Sequence, residues 1–167
     1  MQNHFELFQL PVQFELDAEH LDQAYREVQS RVHPDKFVNA SETEQRVAMQ
    51  WATRANEAYQ TLKQPLKRAR YLCELQQLDL GIESNTQMPM EFLMQQMEWR
   101  EEFADAKSQA DESAMLALEH RVRQHQRRLL EQLQTLFAGQ DWSEIVAQVR
   151  MGLFLEKFLA DIVAQLD

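Results

Sequence analysis

The sequence predicts an all-α protein, in which a helical hairpin domain is followed by an antiparallel three-helix bundle. Only three glycines and four prolines occur in 167 residues, about 4% against the roughly 12% of average proteins. Glutamine, leucine and alanine number 22, 21 and 17, whereas valine, isoleucine and threonine together number 17. That balance favours helices over strands. Sandwiches, barrels and glycine-rich phosphate loops are therefore disfavoured.

The prolines and the apolar spacing define the first helices. A short apolar segment, His4 to Leu10, ends at Pro11. Asp17 is a good N-cap for the next helix. Pro34 ends that helix, because the residue before a proline is pushed out of the α region. The apolar residues of this helix fall on one face: Leu21, Ala24, Tyr25, Val28 and Val32.

A second helix completes the predicted hairpin. Residues 41–44, SETE, form a capping-box pattern at its start. Its predicted core stripe consists of Val47, Trp51, Ala55, Ala58, Tyr59 and Leu62. Two amphipathic helices around a short loop make an antiparallel hairpin. Pro65 fits the first turn of a further short helix that continues to about Gln77.

A change in composition divides the chain. Residues 78–89 include Gly, Asn, Ser and Pro and are predicted to link a first domain, 1–77, to a second domain, 90–167. Three long helical patterns follow the linker, at about 90–109, 112–137 and 142–166. The turns between them carry capping and helix-ending residues: Asp111, Gly139, Asp141 and Glu144. Short turns between three helices imply an antiparallel bundle.

Net charge and cysteine content exclude several classes of function. The net charge is −10, of which residues 1–78 carry −2 and residues 79–167 carry −8. Such an acidic second half argues against nucleic-acid binding and suits a partner with basic patches. The single cysteine, Cys73, excludes an internal disulfide and a cysteine-cluster metal site.

Neither a membrane span nor a signal peptide is visible in the sequence, since the apolar runs are only a few residues long. With the single cysteine, this predicts a cytoplasmic protein. We expect no metal, nucleotide or other cofactor. An enzyme is not expected either, because no nucleophile–base pair is apparent.

A tripeptide in the hairpin loop, His33-Pro34-Asp35, is the sharpest short motif. Pro34 fixes its own φ and restricts His33, so the loop presents an imidazole and a carboxylate in a rigid arrangement. A rigid loop loses little entropy on docking, and Asp35 is able to form a charge-assisted bond to a partner arginine. Such a tripeptide occurs by chance in about one chain in a hundred, so taken alone it also fits an ordinary turn.

The sequence around this tripeptide carries a wider resemblance. HPDKF between two amphipathic helices, followed by NEAYQTL, resembles the J-domain of DnaJ-type co-chaperones. The blocks VHPDKF, NEAYQTLKQPLKRARYL, FLMQQMEWREE and FLEKF are similar to the HscB family, the J-proteins dedicated to iron–sulfur cluster assembly. The similarity runs from about Phe5 to about Leu159. The N-terminal cysteine-pair metal module of eukaryotic members is absent, so the resemblance is to the bacterial form.

The resemblance implies a co-chaperone with two partners. Its J-domain is expected to stimulate ATP hydrolysis by an HscA-type 70-kDa heat-shock chaperone. Its C-terminal domain is expected to hold the iron–sulfur scaffold protein IscU. The residues implied for chaperone binding are the motif itself and nearby cations: His33, Pro34, Asp35, Lys36, Arg26 and Arg31.

The first helix of the second domain has two apolar stripes. At about 100° per residue, a predicted core face consists of Phe92, Gln96, Trp99, Phe103 and Ala106. A second stripe consists of Met90, Leu93, Met97 and Ala104. From the pattern alone this second stripe is either a docking surface with an acidic rim or more core, because a bundle helix touches two neighbours. The resemblance implies scaffold binding by Leu93, Met94, Met97, Glu98, Glu101 and Asp105.

Phe154 belongs to the last helix and points about 100° away from its core stripe. It is either an exposed anchor or a filler between helices, and the resemblance assigns it to the scaffold-binding set. Gly152, two residues earlier, is predicted inside the helix at a cost of about 1 kcal/mol relative to alanine. Close helix approach and access for a partner both explain it.

Two other functions remain as alternatives. One is a general DnaJ-like co-chaperone for unfolded clients, although Gly/Phe-rich and cysteine-rich zinc regions are missing. The other is a helical regulator of the phosphotransfer or DNA-binding type, which needs an exposed histidine on a helix or a basic recognition helix. His33 lies in a loop beside a proline, and the basic residues of 121–128 lie in an acidic domain.

Overall fold

The computed structural model describes residues 2–81 and 88–167, and the chain divides into two compact units, Met1–Leu75 and Gln76–Asp167. The first unit contains α1 (His4–Leu7), α2 (Ala18–Val32), α3 (Glu42–Lys63) and α4 (Pro65–Leu75). The second contains α5 (Met90–Ser108), α6 (Glu112–Ala138) and α7 (Trp142–Leu166). A 3₁₀ turn, Pro34–Phe37, connects α2 to α3. The described residues contain no strand, and the all-α prediction is confirmed.

The linker prediction falls partly on residues 82–87, which lie outside the described residues. On the N-terminal side of that gap, Leu80 is buried in the second unit. Its carbonyl accepts a hydrogen bond of 2.6 Å from Arg150 Nε on α7. No helix among the described residues has the length and apolarity to cross a membrane.

The predicted caps are present. The side chains of Asp17, Ser41, Asp111 and Asp141 each accept a hydrogen bond from a backbone N–H in the first turn of their helices. These bonds satisfy donors that a helix start leaves without partners. Gly139 ends α6 as predicted, but with φ −87°. The left-handed residue of that turn is instead Gln140, at φ 54°.

The core of the first unit forms around a line of alanines on α3. Ala48, Ala55 and Ala58 are buried along one line of α3, and small side chains allow neighbouring helices to approach closely. The remaining buried residues are Phe5, Phe8, Phe14, Leu21, Leu62, Leu66, Arg68, Ala69, Leu72 and Cys73. Burial raises the pKa of the Cys73 thiol to about 11, so that it packs as an inert apolar group.

One part of the core prediction is wrong. Val47 and Trp51 were expected to be buried, yet they are 46% and 36% exposed. The buried line of α3 begins at Ala48, so these two larger side chains fall on the flank of the helix. Arg54 lies over the Trp51 ring at 4.8 Å and covers part of it.

Arg68 is a buried charge at the centre of the first unit. Its Nε donates to the carbonyl of Phe14 at 2.7 Å, and its Nη1 donates to the carbonyl of Leu62 at 2.6 Å. The guanidinium also lies 5.1 Å from the centre of the Phe14 ring. Burial lowers the pKa of Arg68, but arginine stays protonated in proteins. Arg68 therefore joins α4, the end of α3 and the segment that precedes α2.

The three helices of the second unit meet around aromatic rings. Trp99 and Phe103 of α5 contact Phe158 of α7 at ring separations of 6.5 and 5.8 Å. Phe137 packs edge-on against Trp142 at 5.7 Å and closes the turn between α6 and α7. The predicted core face of α5 is confirmed, since Phe92, Trp99, Phe103 and Ala106 are all buried. Gly152 is buried within α7.

Gln96 is the polar member of that core face. Its Nε2 is buried and has no hydrogen-bond partner among the described residues. A buried donor without a partner costs about 1–3 kcal/mol, so Gln96 lowers the stability of the second unit.

The Arg68→Met substitution should destabilise the first unit by about 2–4 kcal/mol, because it leaves two buried carbonyls without a donor. Urea unfolding followed through amide NMR signals of each unit would measure this separately from the second unit. Arg70→Met is the matched control. Arg70 is half-exposed in an ion pair with Glu74, and losing that pair should cost at most about 0.5 kcal/mol. Equal losses for the two variants would contradict the role of Arg68.

The Gln96→Leu substitution should stabilise the second unit by about 1 kcal/mol, because an apolar side chain of similar size replaces the unpaired amide. The same urea titration would measure the gain. Gln124→Leu on the exposed side of α6 is the control and should leave the unfolding free energy unchanged. A loss of stability in Gln96→Leu would mean that the amide has a partner.

Candidate functional sites: the hairpin tip and the exposed face of α5

The tip of the α2–α3 hairpin presents the predicted motif in an ordered turn. His33 caps the 3₁₀ turn, and Pro34 occupies its first position. The backbone N–H of Asp35 donates to Nδ1 of His33 at 3.2 Å. The His33 and Asp35 side chains are 57% and 87% exposed. The motif is therefore rigid at its backbone and open at its functional groups.

The hydrogen bond at His33 orients its ring. Nδ1 accepts the N–H of Asp35 and lies 3.6 Å from Oδ2 of the same residue. Because Nδ1 acts as an acceptor in this turn, it does not donate to the Asp35 carboxylate. The Asp35 carboxylate then stays available as an acceptor for a partner's donor.

A cleft of about 980 Å³ runs between α2 and α3 beside this motif. Of the predicted chaperone-binding residues, the structure brings five to its lining: Arg26, His33, Pro34, Asp35 and Lys36. Arg31 is exposed but does not line the cleft. The cleft thus combines cations, a carboxylate and a polar turn on one side of the hairpin.

Sequence reasoning missed the α3 wall of this cleft. Met49, Thr53 and Asn56 line it, at a spacing of four and three residues that marks one face of α3. Met49 is 69% exposed. The spacing of these three residues was visible in the sequence, next to the line of alanines on α3. The sequence prediction considered only the stripe that contains the larger Val47 and Trp51.

Paired tyrosines fix the hairpin beneath the cleft. The rings of Tyr25 on α2 and Tyr59 on α3 stack at 4.1 Å. The Tyr25 hydroxyl donates to Asn56 at 3.0 Å. The Tyr59 hydroxyl donates to the Asp22 carboxylate at 2.7 Å, and this bond raises the pKa of Tyr59. These contacts hold α2 and α3 in register, which in turn fixes the tip.

The second candidate site is the face of α5 that the core leaves uncovered. Leu93, Met94 and Met97 are 37%, 56% and 65% exposed, and Met90 is 70% exposed. Within its own unit this stripe is therefore surface. Aromatic residues on the opposite side of α5 already fill the bundle core. Methionine side chains are flexible and polarisable, which lets such a surface adapt to a partner.

Acidic residues border this stripe. Glu98, Glu101 and Asp105 are all exposed on α5, and none forms an ion pair with a described residue. An apolar centre with a charged rim is the usual anatomy of a protein–protein interface. The structure thus brings the six predicted α5 residues to one exposed surface.

Phe154 is half-buried on α7. The contacts of Phe158 with Trp99 and Phe103 place this part of α7 beside the middle of α5. Phe154 precedes Phe158 by about one turn. Met151 shares a cleft with Phe92, and Asp161 shares one with Ala104, so Phe154 belongs to the stretch of α7 that runs beside the Leu93 end of α5.

Other candidates from the sequence receive structural roles. Arg121 pairs with Glu102 at 2.8 Å, and Arg123 pairs with Glu119 at 3.1 Å, so part of the basic stretch on α6 is neutralised locally. His125 packs edge-on against Trp99, and burial and a nearby arginine lower its pKa. No cluster of three potential metal-ligating side chains occurs within residues 2–81 and 88–167.

Two family models match the chain. One, described as a DnaJ domain, covers residues 3–71. The other, described as the HSCB C-terminal oligomerisation domain, covers residues 88–163. The two matches fall on the two structural units, and each contains one of the candidate sites.

Several relatives match nearly the whole chain. A co-chaperone protein HscB homolog of Burkholderia multivorans is 50% identical over 99% of this chain and 94% of its own length. The solved chaperone HscB from Vibrio cholerae is 41% identical, with a TM-score of 0.82 over 98% of this chain and 96% of its own. The human co-chaperone protein HscB is 27% identical, with a TM-score of 0.91 over 98% and 82%.

Proposed function

The chain belongs to the HscB family of co-chaperones, and from that premise we propose how its two candidate sites divide the work. It acts with an HscA-type 70-kDa heat-shock chaperone in iron–sulfur cluster assembly. In our proposal a J-domain of residues 1–77 binds the chaperone, a C-terminal domain of residues 90–167 holds an IscU-type scaffold protein, and residues 78–89 link the two. We further propose that the protein acts in the cytoplasm and carries out no chemical step itself.

The hairpin tip supports the proposed chaperone contact. His33, Pro34 and Asp35 stand exposed on an ordered turn, and Arg26 and Lys36 line the same cleft. A preorganised turn loses little entropy on docking, and an exposed carboxylate is a strong acceptor for a partner's arginine. Stimulation of ATP hydrolysis then depends on the Asp35 carboxylate, which the turn holds in a fixed position. Arg31, outside the cleft, is proposed as a peripheral contact.

The exposed stripe of α5 is the observation that carries the proposed scaffold contact. Leu93, Met94 and Met97 are exposed together with Met90 on one helix, so they form a continuous apolar stripe rather than scattered exposed residues. An exposed apolar patch with a charged rim marks an interaction surface. Glu98, Glu101 and Asp105 supply the rim, and Phe154 supplies an aromatic anchor on α7.

Holding both partners explains how the two sites act together. When one chain binds the chaperone and its client, the effective concentration of the client at the chaperone rises without any new contact. The acidic rim beside the apolar stripe of α5 favours one specific folded client over a range of unfolded clients, because placed charges exclude partners with the wrong charge pattern.

The Asp35→Asn substitution should abolish stimulation of the chaperone's ATPase, because it removes the charge while keeping the size of the side chain. Steady-state ATP hydrolysis by the purified chaperone with saturating co-chaperone would measure this. Glu57→Gln, which removes an exposed carboxylate on α3, is the control and should stimulate fully. Equal stimulation by Asp35→Asn and the wild type would refute the proposed chaperone contact of the hairpin tip. Scaffold affinity should be the same for all three proteins.

The Leu93→Ala and Phe154→Ala substitutions should each weaken scaffold binding about tenfold or more, as expected for apolar anchors at the centre of an interface. Isothermal titration calorimetry with the purified scaffold protein would measure the change. Leu116→Ala is the matched control, because Leu116 is 51% exposed on α6 and lies outside the proposed face. If all three variants bind like the wild type, α5 is not the scaffold-binding surface.

A further inference from the structure

The exposed face of α5 has two edges of opposite charge. At about 100° per residue, Arg100 and Lys107 lie about 60–80° from Phe92, on the edge toward α7. The apolar residues Leu93, Ala104 and Met97 follow at about 100–140°. The acidic residues Glu101, Asp105 and Glu98 lie beyond them, at about 180–240°. The apolar stripe thus separates a basic edge from an acidic edge.

Aromatic rings hold both cations of the basic edge in place. The Arg100 guanidinium lies 5.2 Å from the centre of the Phe158 ring, and Lys107 Nζ lies 5.4 Å from the centre of the Phe103 ring. Cation–π contacts of this kind orient a charge without neutralising it. Neither residue forms an ion pair with any residue that the structure describes, in contrast to Arg121 and Arg123 of α6.

A cleft of about 390 Å³ opens between α5 and α7 beside these cations. Ala104 and Ala164 contribute small side chains to its lining, and Phe103 contributes part of its apolar surface. Asp161 is the only carboxylate in the lining, against two cations. The cleft is therefore positive within a unit that is acidic overall, and it has room for a side chain from a partner.

We propose that this cleft receives an acidic side chain of the scaffold partner and that the two charged edges fix the direction in which the partner lies on α5. The inference rests on the proposed scaffold binding and adds the charge pattern that the partner must carry. A carboxylate of the partner pairs with Arg100 and Lys107, while basic groups of the partner face Glu98, Glu101 and Asp105. Turning the partner around would place like charges opposite each other on both edges.

The expected energetic effect is moderate, because both cations are exposed. Exposed ion pairs contribute little each, so a single neutral substitution should weaken binding about twofold to fivefold. Charge reversal adds repulsion to that loss. The edges therefore select orientation more than they raise affinity, and the apolar stripe supplies the affinity.

Titration calorimetry of the full chain with the purified IscU-type scaffold, at low and high NaCl concentration, tests the inference. Arg100→Gln combined with Lys107→Gln should weaken binding about fivefold to twentyfold at low salt. Arg100→Glu combined with Lys107→Glu should weaken it further. The double Gln variant should also show a smaller dependence of Kd on salt than the wild type, because two screened ion pairs are gone.

Arg127→Gln combined with Arg128→Gln is the matched control. It removes two exposed cations of α6, changes the net charge equally and should leave Kd within twofold of wild type. If the Arg100 and Lys107 variant binds like this control while Leu93→Ala still weakens binding, the inference is overturned and the proposed function stands. Tighter binding of the variant would also overturn it, because the partner would then be basic at the cleft.

A second copy of this chain is the other occupant that the charge pattern admits, since opposite edges would pair in a parallel contact of two α5 helices related by a two-fold axis. Sedimentation of the wild type alone tests this. A monomer at the concentrations of the titration supports the scaffold as occupant. A dimer that the Arg100 and Lys107 variant dissociates would overturn the proposal.

Discussion

The hairpin that carries the first site depends on the buried guanidinium of Arg68. The end of α3 leaves backbone carbonyls without helical partners, and the segment before α2 has no regular structure to satisfy its own. Arg68 supplies donors to both, through Leu62 and Phe14. A lysine could not do this, because its single nitrogen lacks the planar fork of donors. Arg68 fixes that end of the hairpin. Closer to the tip, the stacked rings of Tyr25 and Tyr59 keep α2 and α3 in the same relative position.

The second unit exposes an apolar face of α5 and nevertheless has a filled core. Its core is supplied by aromatic residues that alternate along α5 with the surface residues. Phe92 is buried beside exposed Leu93, and Trp99 is buried beside exposed Glu98. A step of one position along the helix therefore leads from a buried core residue to an exposed residue of the proposed scaffold-binding face. Because the aromatic side fills the bundle, the methionine stripe contributes little to folding and is free to serve a partner.

The sequence predicted the helices well because the signals were local. Caps such as Asp17 and Asp111, and breakers such as Pro34, act within one turn of the residue that carries them. The core face of α5 also followed from periodicity. The stripe of Leu93 and Met97 did not, because a bundle helix has two neighbours and only the packing of α6 and α7 decides which arc stays open.

The remaining errors and omissions arise from contacts between helices. Trp51 was expected in the core because aromatic residues usually are buried. The neighbouring helices pack against the alanine line of α3 instead, and Trp51 lies on the side of the helix next to that line. Arg68 carried no signal of burial, since its partners are carbonyls 6 and 54 residues away. The residues of the proposed chaperone site at the tip were recognisable from the motif, whereas the contribution of Met49 and Asn56 to the cleft depends on the packing of α2 against α3.

The two proposed sites suit different kinds of recognition. The tip is short, polar and held by a proline, a 3₁₀ turn and a histidine cap, so it presents a single arrangement and suits a partner whose response depends on one carboxylate.

The α5 face is long, apolar and rich in methionine, so its shape does not select a partner strictly. Selectivity on that face must then come from charge. The order of cations, apolar groups and carboxylates around α5 provides it, because repulsion excludes wrong orientations without requiring tight complementarity. In our proposal, the affinity for the scaffold and its orientation are thus determined by different residues of one helix.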